Sequence, residues 1–97
     1  MANPFATETE LLVLRQLSSE PAGMYGLQLV SSSNGKLKRG TVYVTLGRLE
    51  EKGFVESRTK PNNKHSGLPR PVYQITGLGQ RVLAAAELLG LGAVGAG

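Results

Sequence analysis

Residues 36–58 read KLKRGTVYVTLGRLEEKGFVESR, and this stretch decides the fold. Its apolar side chains recur as Val42, Leu46 and Leu49, which lie within a sector of about 60° on a helix that turns about 100° per residue. Basic residues lead into the helix, and its opposite side carries hydroxyl, small apolar and cationic side chains. We therefore predict a short helix that is held by one thin apolar edge and presents its other face outward.

Two shorter helices are predicted before this stretch. Thr7 and Glu10 have the spacing of a capping box, and the leucines after them predict a helix of about three turns that ends near residues 18–19. Residues 25–33 predict a second helix, which residues 34–35 stop in a left-handed conformation. These two helices would supply most of the apolar surface that the third one packs against.

The third helix should begin near Gly40 or Thr41, whose hydroxyl is a candidate N-cap, and run to Lys52 before Gly53. After it the apolar pattern alternates, which predicts strands over residues 54–59 and 71–76. Turn-forming residues separate the strands, and a hydroxyl at the end of the second can cap a last helix. This order predicts a mainly α fold with a small β-hairpin, the winged helix-turn-helix.

The basic residues are concentrated in the middle of the chain. The net charge of +4 divides into −2 for residues 1–35, +6 for residues 36–73 and zero for residues 74–97. The middle segment carries nine Lys or Arg against three Glu. Such a patch is typical of a protein with a polyanionic partner, although an ordinary solvated surface can give the same count.

The outward face of the third helix suits the major groove of DNA, which admits one α-helix. Threonine and valine can contact a thymine methyl, arginine can reach guanine or a phosphate, and a helix N-terminus favours an anion. The alternatives are a helix cap at Thr41, a core edge at Tyr43, and solvated pairs of Arg48 with Glu51 or Lys52 with Glu56. The candidate DNA-contacting residues here are Lys38, Arg39, Thr41, Tyr43, Val44, Thr45 and Arg48.

The hairpin adds a basic wing to this surface. Its cations could follow the DNA backbone or enter the minor groove, or they could simply keep an exposed loop charged. His65 is the one histidine and the chain has no cysteine or aspartate, so we predict no metal site, no cofactor and no enzyme activity. The candidate wing residues are Arg58, Lys60, Lys64, His65 and Arg70.

Three motifs resemble the PadR-like transcriptional regulators: MYGLQLV at residues 24–30, GTVYVTLGRLEEKGFVES at 40–57 and GLPRPVYQITGLGQRVL at 67–83. The resemblance covers about residues 8–89. It implies a regulator, usually a repressor, that binds double-stranded DNA with the third helix and wing and forms a homodimer through its last helix. Many members respond to a small-molecule effector. The family's effector pocket draws on a longer last helix than residues 77–90 provide, which makes an effector doubtful here.

The last helix is too apolar to be exposed on three sides. The family register places Gly79 and Leu83 against the winged domain, which leaves a second apolar seam for another copy of the chain, although a lid over its own domain is the alternative. A dimer implies a palindromic operator. The predicted dimerisation residues are Leu78, Val82, Ala85 and Leu89. The predicted organisation is a DNA-binding domain at residues 5–76, a dimerisation helix at 77–90 and a glycine-rich tail at 91–97.

No apolar run approaches the roughly 18 residues that a membrane span needs, and the first residues lack a signal-peptide pattern. We therefore expect a cytoplasmic protein with no membrane partner. The alternative to a DNA-binding regulator is a winged-helix module that binds another protein in a phage or plasmid control complex. The coincidence of positive charge with the third helix and the wing favours DNA.

Overall fold

The structure, a computed structural model, describes residues 6–60 and 70–90 of the chain. Three helices come first, a two-stranded antiparallel sheet follows, and a fourth helix ends the described part. This confirms the predicted winged helix-turn-helix. The elements are α1 (Glu8–Ser18), α2 (Gly26–Ser32), α3 (Arg39–Lys52), β1 (Val55–Lys60), β2 (Arg70–Ile75) and α4 (Gly77–Leu88).

The start of α1 is a complete capping box, as predicted. The hydroxyl of Thr7 accepts a hydrogen bond from the backbone N–H of Glu10 at 3.1 Å. The Glu10 carboxylate in turn accepts from the backbone N–H of Thr7 at 2.8 Å. Two otherwise unpaired helix N–H groups are thereby satisfied, and α1 ends at Ser18, where the breaker residues predicted an end.

The start of α3 differs from the prediction. Lys38 is the N-cap in an extended conformation and makes no side-chain capping bond, so Thr41 lies inside the first turn and is not the cap. The end of α3 is as predicted. Gly53 adopts a left-handed conformation with φ of 80°, and the N–H of Phe54 donates to the carbonyl of Leu49 at 2.9 Å.

The core is built from aliphatic side chains, as the low aromatic content predicted. The leucines of α1 pack with Leu29 of α2 and with the inner edge of α3, and most of these side chains have no contact with solvent. The apolar residues with 0% exposure are Val13, Leu14, Leu17, Leu29, Val42, Leu46, Leu49 and Ala86. This arrangement fixes α3 along one edge only.

The wing strands pair in antiparallel register, with Val55 opposite Ile75 and Lys60 opposite Arg70. Each strand is displaced by one position from its predicted bounds. A further pairing was not predicted: Met24 and Tyr73 exchange two backbone hydrogen bonds, of 2.9 and 2.8 Å. β2 is therefore held on both of its edges, and the wing is tied to the segment between α1 and α2.

The fourth helix begins at the predicted cap. The Thr76 hydroxyl accepts from the N–H of Gly79 at 3.0 Å and donates to the carbonyl of Gly53 at 2.7 Å. This pair of bonds joins the start of α4 to the end of α3. Gly79 is buried where any Cβ would collide with the carbonyl oxygen of Phe54, as its predicted inward placement requires.

The inward face of α4 corrects one predicted dimerisation residue. Val82 is only 8% exposed and belongs to the core of its own chain, beside Leu83 and Ala86. Val82 is thus buried with the seam that packs on the chain's own domain, beside Gly79, Leu83 and Ala86, and does not belong to the exposed seam. Leu78, Leu88 and Leu89 stay largely exposed. No helix within residues 6–60 and 70–90 is long and apolar enough to cross a membrane.

Candidate nucleic-acid interface

The outward face of α3 matches the periodicity. Val42, Leu46 and Leu49 are fully buried, whereas Val44 is 56% exposed and Tyr43 is 47% exposed. The helix is therefore attached to the domain by the predicted narrow edge. An exposed valine in the middle of a helix leaves an apolar side chain available to a surface outside the domain.

The centre of this face is a smooth stripe, by which we mean that two of its three residues are glycines and carry no side chain. Gly40, Val44 and Gly47 are spaced four and three residues apart, which places them on one side of the helix, and the space above both glycines is open. Tyr43 borders the stripe on one side and Arg48 on the other. The helix backbone can thus approach a partner closely. Helical spacing alone could have identified these glycines.

Thr45 does not belong to the exposed face, contrary to the prediction. Its side chain is 6% exposed, and its hydroxyl donates to the carbonyl oxygen of Thr41 at 2.8 Å. The hydrogen of this hydroxyl is used within the helix, and the side chain exposes little surface that a base could contact. The threonine candidate that remains on the outward face is Thr41.

The N-terminal end of α3 is positive. Lys38 and Arg39 are exposed, and the first turn contains no acidic residue. Because Lys38 caps the helix without a side-chain bond, the first backbone N–H groups are not used by a capping side chain. A helix start with free N–H groups and two adjacent cations attracts an anion such as phosphate.

A groove of about 390 Å³ runs between the start of α1 and the outward face of α3. Thr7 and Thr9 line one wall, and Thr41, Val44 and Arg48 line the other. The groove exposes hydroxyls and one guanidinium. Within the described residues Arg48 forms no ion pair, so its alternative pairing with Glu51 is absent and its five donors remain available.

Glu10 contributes a carboxylate to the lining of this groove, and that carboxylate is paired with the ammonium group of Lys52. Glu10 is 1% exposed and accepts hydrogen bonds from Lys52 Nζ at 2.8 and 3.1 Å. The alternative pairing of Lys52 with Glu56 is therefore not the one observed. The local charge that faces outward at the groove is consequently the cation of Arg48 and not the anion of Glu10.

The wing contributes cations that are only partly described. Arg58 in β1 and Arg70 in β2 are exposed, as predicted. Arg70 lies 5.7 Å from the ring centroid of Tyr25, a residue that the sequence did not single out because only tertiary packing brings it to the wing. The predictions for Lys64, His65 and the Lys60 side chain lie outside the described residues, as does residue 5 of the predicted domain and the tail at 91–97.

A larger open groove of about 760 Å³ lies between the end of α1 and α2. Gln16, Met24, Leu27 and Gln28 contribute to its lining, and its volume is within the range of about 300–1,000 Å³ that small-molecule sites occupy. A small-molecule effector nevertheless stays a prediction. In the described part of the chain, no group of three or more His, Cys, Asp or Glu side chains is placed to hold a metal ion.

Comparison with known proteins finds that the chain is similar to a family of transcriptional regulators. A family model described as the transcriptional regulator PadR-like family matches residues 13–85. A PadR family transcription regulator from hypervirulent Clostridium difficile R20291 is 26% identical, with 84% of each chain covered and a TM-score of 0.71. The Thermoplasma acidophilum protein TA0346 is 30% identical over 82% of this chain and 77% of that one, with a TM-score of 0.70.

A third solved structure agrees with these two. The PadR family transcriptional regulator from Eggerthella lenta DSM 2243 is 29% identical over 84% of this chain and 73% of that one, with a TM-score of 0.69. A comparison with curated proteins finds no significant match. Since the family match spans most of the chain, the chain belongs to the PadR-like family of DNA-binding transcriptional regulators, which are not enzymes.

Proposed function

We propose that the protein is a homodimeric repressor that reads operator DNA with α3 in the major groove and places its wing on the flanking backbone or minor groove. The observation that carries the proposal is the outward face of α3, where Val44 lies within the smooth stripe and Thr41 and Arg48 lie beside it. A major groove of about 12 Å admits one helix, and close approach brings those side chains to base edges.

Each outward residue has a chemical role that suits this docking. The Arg48 guanidinium can donate two parallel hydrogen bonds to guanine, and the Val44 methyls can contact a thymine methyl. Thr41 can donate to a base or to a phosphate. Lys38 and Arg39 stand at the positive end of α3, where phosphate contacts would set the position of the helix in the groove.

A second copy of the chain is proposed to cover the outward side of α4. Leu88 is 87% exposed and Leu89 65% exposed. Leu89 continues the side of the helix that carries Leu78 and the half-buried Ala85, and Leu88 lies about 80° from Leu78 around the axis. Leucines this exposed favour an apolar partner. A two-fold dimer would present two copies of α3 to half-sites about 34–36 Å apart on a palindromic operator.

Repression is the regulatory sense we infer. A dimer that occupies two half-sites excludes other proteins from the DNA beneath it, and this requires no additional activating surface. We also infer that the wing cations, including those predicted at Lys60, Lys64 and His65, bind phosphates without regard to sequence.

Mobility shift against the protein's own promoter region, at a low and a higher salt concentration, tests the DNA-binding part of the proposal. We expect a retained complex that weakens steeply with salt and resists an excess of unrelated duplex. Run-off transcription from the same fragment then tests repression. If no fragment of the promoter region is retained even at low salt, operator binding is refuted, and the winged-helix protein-binding alternative gains support.

A further inference from the structure

We propose that Tyr25, Tyr43 and Arg70 together form a site for one phosphate of the DNA backbone, at the junction of α2, α3 and the wing. This proposal rests on the proposed function and adds Tyr25 to the surface. The three side chains come from three separate elements and line one cleft of about 100 Å³, together with Gly26, Leu27 and Pro71. The cleft is small, partly enclosed and open to one side.

The side chains in this cleft are held before any ligand arrives. The Arg70 guanidinium carbon lies 5.7 Å from the centroid of the Tyr25 ring, a cation–π contact. The Tyr43 ring packs so closely on α2 that a Cβ at Gly26 would lie 2.6 Å from Tyr43 Cε1. Tyr43 is nevertheless 47% exposed, so one side of its ring is fixed while the remainder faces outward.

The polar ends of these residues have no hydrogen-bond or ion-pair partner within the part of the chain that the structure describes. Neither tyrosine hydroxyl donates a hydrogen bond there, and Arg70 forms no ion pair. Arginine presents its donors in a planar fork that matches phosphate oxygens, and tyrosine hydroxyls donate to phosphates at many protein–DNA interfaces. The cleft thus collects donors without an acceptor.

Size and position both favour a backbone phosphate. A volume of about 100 Å³ is well below the roughly 300 Å³ at which small-molecule sites begin, and a single phosphate group is a better match. Tyr43 borders the smooth stripe of α3, and Arg70 is the first residue of the returning wing strand. A duplex that contacts both α3 and the wing must carry its backbone across the cleft between them.

The test uses the full chain and three conservative variants, Tyr25→Phe, Tyr43→Phe and Arg70→Gln. Fluorescence anisotropy measures their affinity for an operator duplex and for an unrelated duplex over a range of salt. We expect each variant to lose roughly tenfold in affinity for both duplexes alike, because a phosphate contact carries no sequence information. Arg70→Gln should also reduce the slope of log K against log salt by about one.

A charge-neutral methylphosphonate placed at successive single positions of the operator identifies the phosphate itself. One substitution should weaken the wild-type protein and have little further effect on Arg70→Gln, since the two changes remove the same contact. Arg81→Gln is the matched control, because this exposed arginine of α4 lies outside the cleft and its variant should bind like wild type.

The outcomes separate this site from the proposed function. If wild type fails to bind the operator, the proposed function is lost and the phosphate site with it. If wild type binds and the three variants match it in affinity and salt slope, the phosphate site alone is refuted. A loss confined to the operator duplex would also overturn it, since that result indicates contact with a base. Unchanged thermal unfolding of the variants shows that the loss is not a folding defect.

Discussion

Lys52 donates hydrogen bonds to both carboxylate oxygens of Glu10, at 2.8 and 3.1 Å, across 42 positions of the chain. The lysine is at the end of α3, and the glutamate belongs to the capping box at the start of α1. The pair therefore fixes α3 against α1, at the end of α3 farthest from its positive N-terminus. Lys52 is one of the nine Lys or Arg residues of the basic middle segment, and its side chain positions α3 in the fold.

Replacing Lys52 by methionine should lower the free energy of unfolding by about 1–3 kcal/mol, because the buried Glu10 carboxylate would lose its cationic partner. The backbone N–H of Thr7 would be its one remaining donor among the contacts observed in the folded chain. Urea denaturation measures the change.

The matched control for this variant is Lys36→Met, an exposed lysine whose loss should stay within about 0.5 kcal/mol. Adding Glu10→Gln to Lys52→Met should restore part of the lost stability, since the second change removes the uncompensated charge. If Lys52→Met were as stable as wild type, the pair would have no part in holding α3 against α1.

Arg48→Ala should weaken specific operator binding by about 1–3 kcal/mol if its guanidinium reads a base, and it should leave unfolding unchanged. Arg39→Ala should weaken binding to all sequences, because a residue at the start of the helix faces phosphates. Competitive anisotropy with operator and unrelated duplexes distinguishes the two effects. Wild-type affinity in both variants would show that α3 does not present this face to DNA.

Thr45→Val provides a control on the same helix. The Thr45 hydroxyl is buried and donates to the Thr41 carbonyl, so its removal should leave operator affinity within about twofold of wild type. Thr41→Val should weaken binding more, because the Thr41 hydroxyl is on the outward side. A greater loss from Thr45→Val than from Thr41→Val would restore the original assignment of Thr45 to the DNA surface.

Neutralising Lys60 and Lys64 together should weaken binding to operator and unrelated duplexes equally and reduce the dependence on salt. Each phosphate contact that is lost removes about 0.9 from the slope of log K against log salt on duplex DNA, so the pair should change the slope by about two. An unaltered slope would mean that these lysines only keep the hairpin tip charged.

Local patterns predicted the elements of this protein well because local physics sets them. The capping box at Thr7, the left-handed stop at Gly53 and the apolar edge of α3 all follow from neighbours within one helical turn or two. Thr45 and Val82 could not be placed in this way. Each lies at the boundary of an apolar sector, and the packing of other elements decides which side of the boundary becomes buried.

The contacts that required three dimensions join distant parts of the chain. The Glu10 carboxylate and the Lys52 ammonium, and the Tyr25 ring and the Arg70 guanidinium, meet only after folding. A sequence shows that such residues are polar or aromatic and does not show their partners. The smooth stripe of α3 differs from these contacts, because helical spacing alone places Gly40, Val44 and Gly47 on one side of the helix.

Tyr73 should titrate later than an ordinary tyrosine. Burial raises the pKa of its hydroxyl above 10.0, and the Glu50 carboxylate and Tyr43 act in the same direction. The folded chain therefore keeps this proton at a pH where the unfolded chain loses it. The stability that results is complete below pH 10.0 and falls as pH rises through the folded pKa.

Ultraviolet absorbance of tyrosinate measures this titration in the native protein. The last ionisation step should disappear in Tyr73→Phe, and the alkaline loss of stability should become shallower. A variant that retains the late step would assign it to one of the other two tyrosines, and the proposed cause, burial of Tyr73, would be wrong.

Replacing Leu88 and Leu89 by glutamate should convert the protein to monomers, because both leucines are exposed on α4 and a charge there would have to be buried in the proposed dimer. Light scattering reports the mass, and anisotropy reports the accompanying loss of tight operator binding. A monomer engages one half-site only, so the affinity should fall by more than an order of magnitude while unrelated duplex is still bound.

Val82→Glu is the informative contrast to that double variant. Val82 packs in the core of its own chain, so a glutamate there should unfold the protein and would say nothing about assembly. The double variant must therefore remain folded in circular dichroism while it loses mass. A Leu88→Glu, Leu89→Glu protein that stays dimeric would show that α4 meets its partner by another side, and a monomeric wild type would remove the dimer. In that second case α4 acts as a lid on one domain, and the operator should contain a single half-site rather than a palindrome.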